Sequence, residues 1–302
     1  MKNKYLFYCL SLIVQFSISQ EYIDLVKLSY GNVYNVGFEN SEEKTNVGSL
    51  NVGVTYPIKV SDKIAIITGL DYGQQKLDLF PGGTTIGLQY ARFKGGINVK
   101  HSERWSGSYL LLPKIASQDL HTDGDHFFMG GLVLLKYQKN INFQYRMGWY
   151  LSQEGFGILT TPILGLYYLS ENKNWEITAN LPVNGDVNYR FNEVFSLGIG
   201  FEAPVRSYSL QQENTLPNLY VQSSIIEIGP YIQHSFLNKS ILVKLQGGYT
   251  SISNEVFEEG DTLPIRLSAF EFDDDRTLIN PEMNGNLFAK IGLTYRFYIK
   301  NK

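Results

Sequence analysis

Residues 286–299 read NLFAKIGLTYRFYI and constrain the chain more than any other stretch. Leu287, Ala289, Ile291, Leu293, Tyr295, Phe297 and Ile299 alternate with Asn286, Phe288, Lys290, Gly292, Thr294, Arg296 and Tyr298. A period of two gives a β-strand with one apolar and one mostly polar face. The same theme recurs along the chain: roughly ten alternating residues, then a turn. A strand that crosses a bilayer needs about 9–11 residues, with apolar side chains toward lipid and polar ones toward the lumen. A soluble sandwich also alternates. Three features favour the barrel: the segments are long, aromatics fall at their ends, and short and long connections take turns.

Fourteen segments are predicted, and the pattern is clearest at 141–153. There Ile141, Phe143, Tyr145, Met147, Trp149 and Leu151 oppose Asn142, Gln144, Arg146, Gly148, Tyr150 and Ser152. Tight turns fall at 60–62, 139–140, 171–174, 192–193 and 237–239. Asn184-Gly185 is a strong hairpin signal. The strands at 175–183 and 186–191 are short. If that pair is a rim excursion, the count is twelve. In 84–100 the apolar face shifts from Ile86, Leu88 and Tyr90 to Ile97 and Val99. One extra residue within 92–96 would do that, so a β-bulge is expected there. An even count puts both ends on one side, as in single-chain bacterial barrels. With the short turns periplasmic, Trp105, Trp175, Tyr56, Tyr137, Tyr167, Tyr295 and Phe297 fall in a lower girdle. Trp149, Tyr30, Tyr72, Tyr90 and Tyr249 fall in an upper one.

Lys290, Gly292, Tyr295 and Phe297 follow the order polar, any, Gly, any, any, aromatic, any, aromatic. This resembles the C-terminal signal that the barrel assembly machinery reads on its clients. It departs from the pattern in that residues 298–302 follow the last aromatic. The chain as a whole is similar to an uncharacterised family of bacterial outer-membrane β-barrels, a domain of unknown function. That resemblance implies an all-β, single, antiparallel up-and-down transmembrane barrel over 20–302. It carries no activity and no catalytic residues.

Residues 1–19 read as a secretory signal peptide, with Lys2 and Lys4 ahead of a short apolar run and small residues before Gln20. The run is shorter than the roughly 20 apolar residues a spanning helix needs. The single cysteine, Cys9, lies inside it, so no disulfide is expected. The expected address is the outer membrane of a Gram-negative bacterium, with lipid and lipopolysaccharide as partners. With a net charge of −3 and no basic block, nucleic acid is not an expected partner.

The polar faces place Arg146, Arg190, Lys114, Lys136, Glu176, Glu202, Glu227, Lys244 and Arg296 toward the lumen, with Arg146 and Arg190 the leading candidates for selectivity. A lumen of this kind can pass solutes along a mildly basic wall, or it can be filled and held by ion pairs. The loop QDLHTDGDH at 118–126 gathers Asp119, His121, Asp123, Asp125 and His126, which are hard oxygen and imidazole donors. Its spacing fits no metal motif, so solvated loop is the expectation and neither metal nor cofactor is called. The acidic stretches 255–261 and 271–275 are likewise expected to be solvated. A lipid hydrolase would need a serine, a base and an orienting group at the rim, and no such signature occurs. The expected function is a porin-like passive channel or small-solute transporter with a mildly basic lumen. The alternative is a non-conducting structural or surface-interaction barrel working through its long acidic loops. A lipid-modifying enzyme comes third.

Overall fold

The computed structural model describes residues 22–120, 126–210, 218–268, 270–272 and 274–298. The expected signal peptide lies outside the described residues. The first strands are β1 (Tyr22–Gly37), β2 (Lys44–Lys59), β3 (Ile64–Leu77) and β4 (Ile86–Lys100). Next come β5 (Trp105–Leu111), β6 (Lys114–Gln118), β7 (Phe127–Phe128), β8 (Gly130–Asn140), β9 (Phe143–Glu154) and β10 (Gly157–Leu169). A short pair follows, β11 (Trp175–Leu181) and β12 (Asn184–Arg190), then β13 (Phe195–Glu202) and β14 (Val205–Leu210). The chain ends with β15 (Leu219–Phe236), β16 (Ile241–Glu258), β17 (Leu263–Leu267), β18 (Phe270–Glu271) and β19 (Asn286–Tyr298).

Three wall strands are split: β5 with β6 at Leu112-Pro113, β7 with β8 at Met129, and β13 with β14 at Ala203-Pro204. Joined across those breaks, and leaving out β17 and β18, the wall is a closed barrel of fourteen antiparallel strands. Closure runs from Tyr22↔Tyr298 to Val33↔Phe288 between β1 and β19. The 175–191 pair therefore spans as wall, and fourteen is the count. Leu164, Met147, Ile291 and Leu70 are exposed on the outside. Trp105 stacks on Tyr137 at 5.0 Å and Trp175 on Tyr189 at 4.8 Å, near the end that carries the tight turns. An outward apolar band with aromatic girdles is the signature of a transmembrane barrel.

The expected bulge is not there. β3 and β4 pair without a shift from Ile64↔Val99 to Leu77↔Ile86. Leu88 and Tyr90 instead face inward and are buried. The apolar residues change face because the interior itself turns apolar toward the loop-rich end, which we call extracellular. Gly73 makes the room: a Cβ there would lie 2.2 Å from the Tyr90 ring. Tyr167 also leaves its expected girdle place and is buried in the lumen.

At that end the barrel narrows. β11 and β12 stop at Leu181 and Asn184, which leaves the upper edges of β10 and β14 without a wall neighbour. β10 takes β17 in parallel, through Gly157↔Leu263 and Leu159↔Arg266. β14 leans across the lumen to β6, at Ser209↔Ser117. Both turns inward start at a proline, Pro113 or Pro204, which has no N–H to give to a ladder. The result is a second, narrower ring of β1, β2, β3, β4, β6, β14, β15, β16 and β19. Its interior is packed with Val36, Leu77, Leu88, Tyr208, Val221 and Val256.

The acidic segment after β16 is not simply solvated. Arg266 Nη1 lies 2.6 Å from Glu271 Oε1, and Arg276 Nη2 lies 2.8 Å from Asp274 Oδ2. Arg276 also donates to the Tyr220 hydroxyl and to Gln222 Oε1, each at 3.0 Å, which pins the segment to the outer face of β15.

Two outcomes are expected. Met147→Arg puts a charge within the lipid-facing band and should cost about 2–4 kcal/mol at mid-depth, read as a lower urea midpoint for the barrel in detergent. The Arg276 guanidinium holds the Asp274 carboxyl down to about 2, against roughly 3.9 for a free aspartate. A lowered carboxylate pKa stabilises fully above the unfolded value and stops doing so as pH falls through the folded one. Hydrogen exchange in 261–280, corrected for intrinsic rate, should therefore rise between about pH 4 and about pH 2. Asp274→Asn should remove that dependence.

Candidate functional site

The inward rows of the wider, periplasmic part of the barrel carry most of the charge, and alternation along each strand puts it there. Asp71 on β3 sits between Arg92 and Lys94 on β4, each at 2.7 Å. Arg296 on β19 contacts Asp24 at 2.7 Å and stacks 3.4 Å from the Tyr22 ring centre. Lys290 bridges Glu202, at 3.2 Å, and Glu227. Lys244 contacts Asp186 at 3.0 Å and lies over the Tyr231 ring. Arg190 is bonded to Glu176, which also accepts from the Tyr22 and Tyr167 hydroxyls. These groups neutralise one another. A buried ion pair of this kind holds the wall in register and adds little net stability.

Two cations stand apart. Lys136 on β8 and Arg146 on β9 are direct cross-strand partners, both inward. Among the described residues neither has a carboxylate within ion-pair distance. Arg146 is buried; its Nε donates to Gln144 Oε1 at 3.1 Å and its Nη1 to Asn180 Oδ1 at 3.4 Å. Both acceptors are neutral amides, so they orient the guanidinium and leave its charge in place. Higher up, Arg206 stacks 4.4 Å from the Tyr90 ring centre under the apolar plug. Two like charges on one rung repel, and an anion placed between them would relieve that repulsion.

The plug rests on a polar node. Lys114 Nζ lies 2.5 and 2.6 Å from the two Glu154 oxygens. Glu154 also accepts from Ser152 Oγ at 2.7 Å, and from the Ser207 backbone N–H and Oγ at 2.8 Å each. One fully buried carboxylate thus joins β6, β9 and β14. Beside it lies a cleft of about 1040 Å³ lined by Phe127, Met129, Leu151, Ser152, Glu154 and Tyr220.

Comparison with known proteins gives a family. The family described as a domain of unknown function, DUF6268, matches residues 86–296. The chain belongs to it. No curated protein matches the chain. Among solved structures, the NanC porin is 8% identical with a TM-score of 0.35, covering 89% of this chain and 98% of that one. The Pseudomonas putida toluene transporter TodX is 9% identical with a TM-score of 0.36, covering 92% and 91%. An outer-membrane channel from Pseudomonas putida F1 is 7% identical with a TM-score of 0.32, covering 91% and 95%. Scores this low lend no support to any shared activity.

In this DUF6268 barrel the sequence-derived lumen residues divide by their partners. Arg190, Lys114, Glu176, Glu202, Glu227, Lys244 and Arg296 are all in ion pairs, and only Lys136 and Arg146 lack a carboxylate. Sequence reasoning missed Arg92, Lys94, Glu154, Tyr22 and Arg206. Arg92 and Lys94 were hidden by the expected bulge, and a glycine opposite Tyr90 was the signal that could have removed it. Lys290 and Gly292 face inward, while Tyr295 and Phe297 lie toward the outer side of β19. Of the loop donors, His121, Asp123 and Asp125 lie outside the described residues. Asp119 accepts from Gln89 at 3.4 Å, and His126 is buried with no hydrogen-bond partner for either ring nitrogen. Among the described residues no three such donors form a group suited to a metal ion.

Glu154→Gln should strand the buried Lys114 and cost about 3–5 kcal/mol, seen as a lower thermal midpoint in detergent. Pairing it with Lys114→Met should restore most of the loss.

Proposed function

We propose that this protein is an outer-membrane channel for small anionic solutes, closed at its extracellular end in the state described here. The observation that carries the reading is the Lys136–Arg146 rung, a cationic pair without a carboxylate in a lumen where the other charges are largely matched. A fixed charge on the wall of a water-filled pore attracts ions of opposite sign and sets selectivity. The neutral amides of Gln144 and Asn180 hold the guanidinium in place without quenching it. The chain reaches the outer membrane of a Gram-negative bacterium by the signal peptide at 1–19. The assembly machinery then reads Lys290, Gly292, Tyr295 and Phe297, and lipid and lipopolysaccharide surround the wall.

A second reading has its own support. The apolar packing of Val36, Leu77, Leu88 and Val256 fills the extracellular ring, which favours a non-conducting barrel that acts through its outer segments. Conductance separates the two. The refolded protein in a planar bilayer under a salt gradient should show discrete steps and a reversal potential of anion-preferring sign. Lys136→Glu and Arg146→Glu should each move that potential toward cation preference, and the double variant should move it further. Arg190→Glu should change assembly more than selectivity, because Arg190 is already paired. Silence from a folded, inserted protein would favour the second reading. Conduction with an unchanged reversal potential in both single variants would remove the rung from the mechanism.

A further inference from the structure

The segment 263–272 has the chemistry of a barrel wall and not that of an extracellular loop. β17 adds to the free upper edge of β10 in parallel, and Ser268 N–H donates to Thr160 O at 2.9 Å. β18 then pairs back on β17 through Arg266↔Glu271 and Leu267↔Phe270. A register shift against β10 brings both Leu263 and Arg266 to the inner side, and alternation holds from Ile265 to Leu267. Leu263 and Arg266 are buried on the inner side, and Arg266 reaches Glu271 at 2.6 Å and Ser224 Oγ at 2.8 Å. The other face is apolar and open: Ile265 is 45% exposed, Phe270 67% and Phe272 51%.

That open face continues the lipid-facing band. Leu267 is the register partner of Thr160, and Thr160 Oγ1 accepts from the Trp149 indole N–H at 2.7 Å. Trp149, Leu151 and Ile158 lie exposed on the same outer side. Two phenylalanines and an isoleucine turned to water on one face would be costly. Turned to acyl chains beside a tryptophan girdle, they meet the solvent the rest of this wall meets.

We propose that 263–272 is a membrane-contacting element. Its outer face, Ile265, Phe270 and Phe272, rests against the acyl chains of the outer leaflet near the headgroup boundary. It fills the notch that the short β11–β12 pair leaves in the wall, and it does so whether or not the barrel conducts.

Site-directed fluorescence tests this in the whole barrel. The single cysteine, Cys9, falls within the expected signal peptide, so in the mature barrel the single variants Phe270→Cys, Phe272→Cys and Ile265→Cys are each labelled at one site with a polarity-sensitive dye. The barrels are reconstituted in vesicles with and without bromine on the acyl chains. Leu164→Cys, on the exposed outer face of β10, sets the scale for lipid contact. Glu259→Cys, exposed after β16, sets the scale for water. The expected result is a blue-shifted emission and bromine quenching at 270 and 272 close to that at 164. Quenching at 265, 270 and 272 no greater than at 259 would overturn the proposal. Phe270→Asp gives an independent readout: it should lower the yield of membrane-assembled barrel several-fold, whereas Glu259→Ala should not. Equal yields would count against lipid contact.

Discussion

Every strand edge in a membrane wall must find a partner, because no water is there to satisfy the backbone. A closed barrel of equal strands meets that demand automatically. This barrel does not have equal strands. β11 and β12 are seven residues each, while β15 and β16 are eighteen. Above the short pair two edges are left over, and the chain satisfies them in different ways. β10 receives β17 from outside the ring, and β14 crosses the lumen to β6. Narrowing, plug and inserted strand thus trace to one local shortage of hydrogen-bond partners.

The plug follows from the crossing. Once β6 and β14 come together, side chains fill the ring, where burying a polar group is costly unless it is bonded. Val36, Leu77, Leu88, Tyr208 and Val256 supply the apolar filling. Beside the ring, Glu154 is bonded to Lys114, Ser152 and Ser207. Below the ring the barrel is wide again, and its rows return to charges and amides. A single wall therefore contains two interiors with opposite chemistry, and the change occurs along individual strands.

That change limits what the sequence could show. Period-two alternation, the tight turns and the terminal strand were enough for fold class and strand count. Alternation tells the two faces apart only while they differ in polarity. In β4 the inward face turns from Arg92 and Lys94 to Tyr90 and Leu88, and the pattern then imitates a slip in register. The same ambiguity put Tyr167 outside when it is bonded to Glu176 inside. Pairing was invisible for a different reason: Arg190 and Arg146 have the same inward parity, and only the assembled wall brings Glu176 of the adjacent β11 to Arg190, and Asn180, two strands away, to Arg146 beside Gln144 of its own strand. The insertion 263–272 read as an acidic loop because composition averages over both its faces, Arg266 and Glu271 on one and Phe270 and Phe272 on the other.

The Lys136–Arg146 rung is informative because it is locally unfavourable. Cross-strand like charges destabilise a sheet, and a buried guanidinium without a counter-charge adds a desolvation cost. The surrounding lumen shows what this wall does when only stability is at stake: Asp71 is flanked by two cations, and Lys290 by two carboxylates. A carboxylate at Gln144 or Asn180 would neutralise Arg146 in the same manner, since both side chains already reach its guanidinium. Each is instead the neutral amide of the corresponding acid, which keeps the geometry and leaves the charge uncompensated. A site that departs from local stability while preserving orientation is where function is most economically sought.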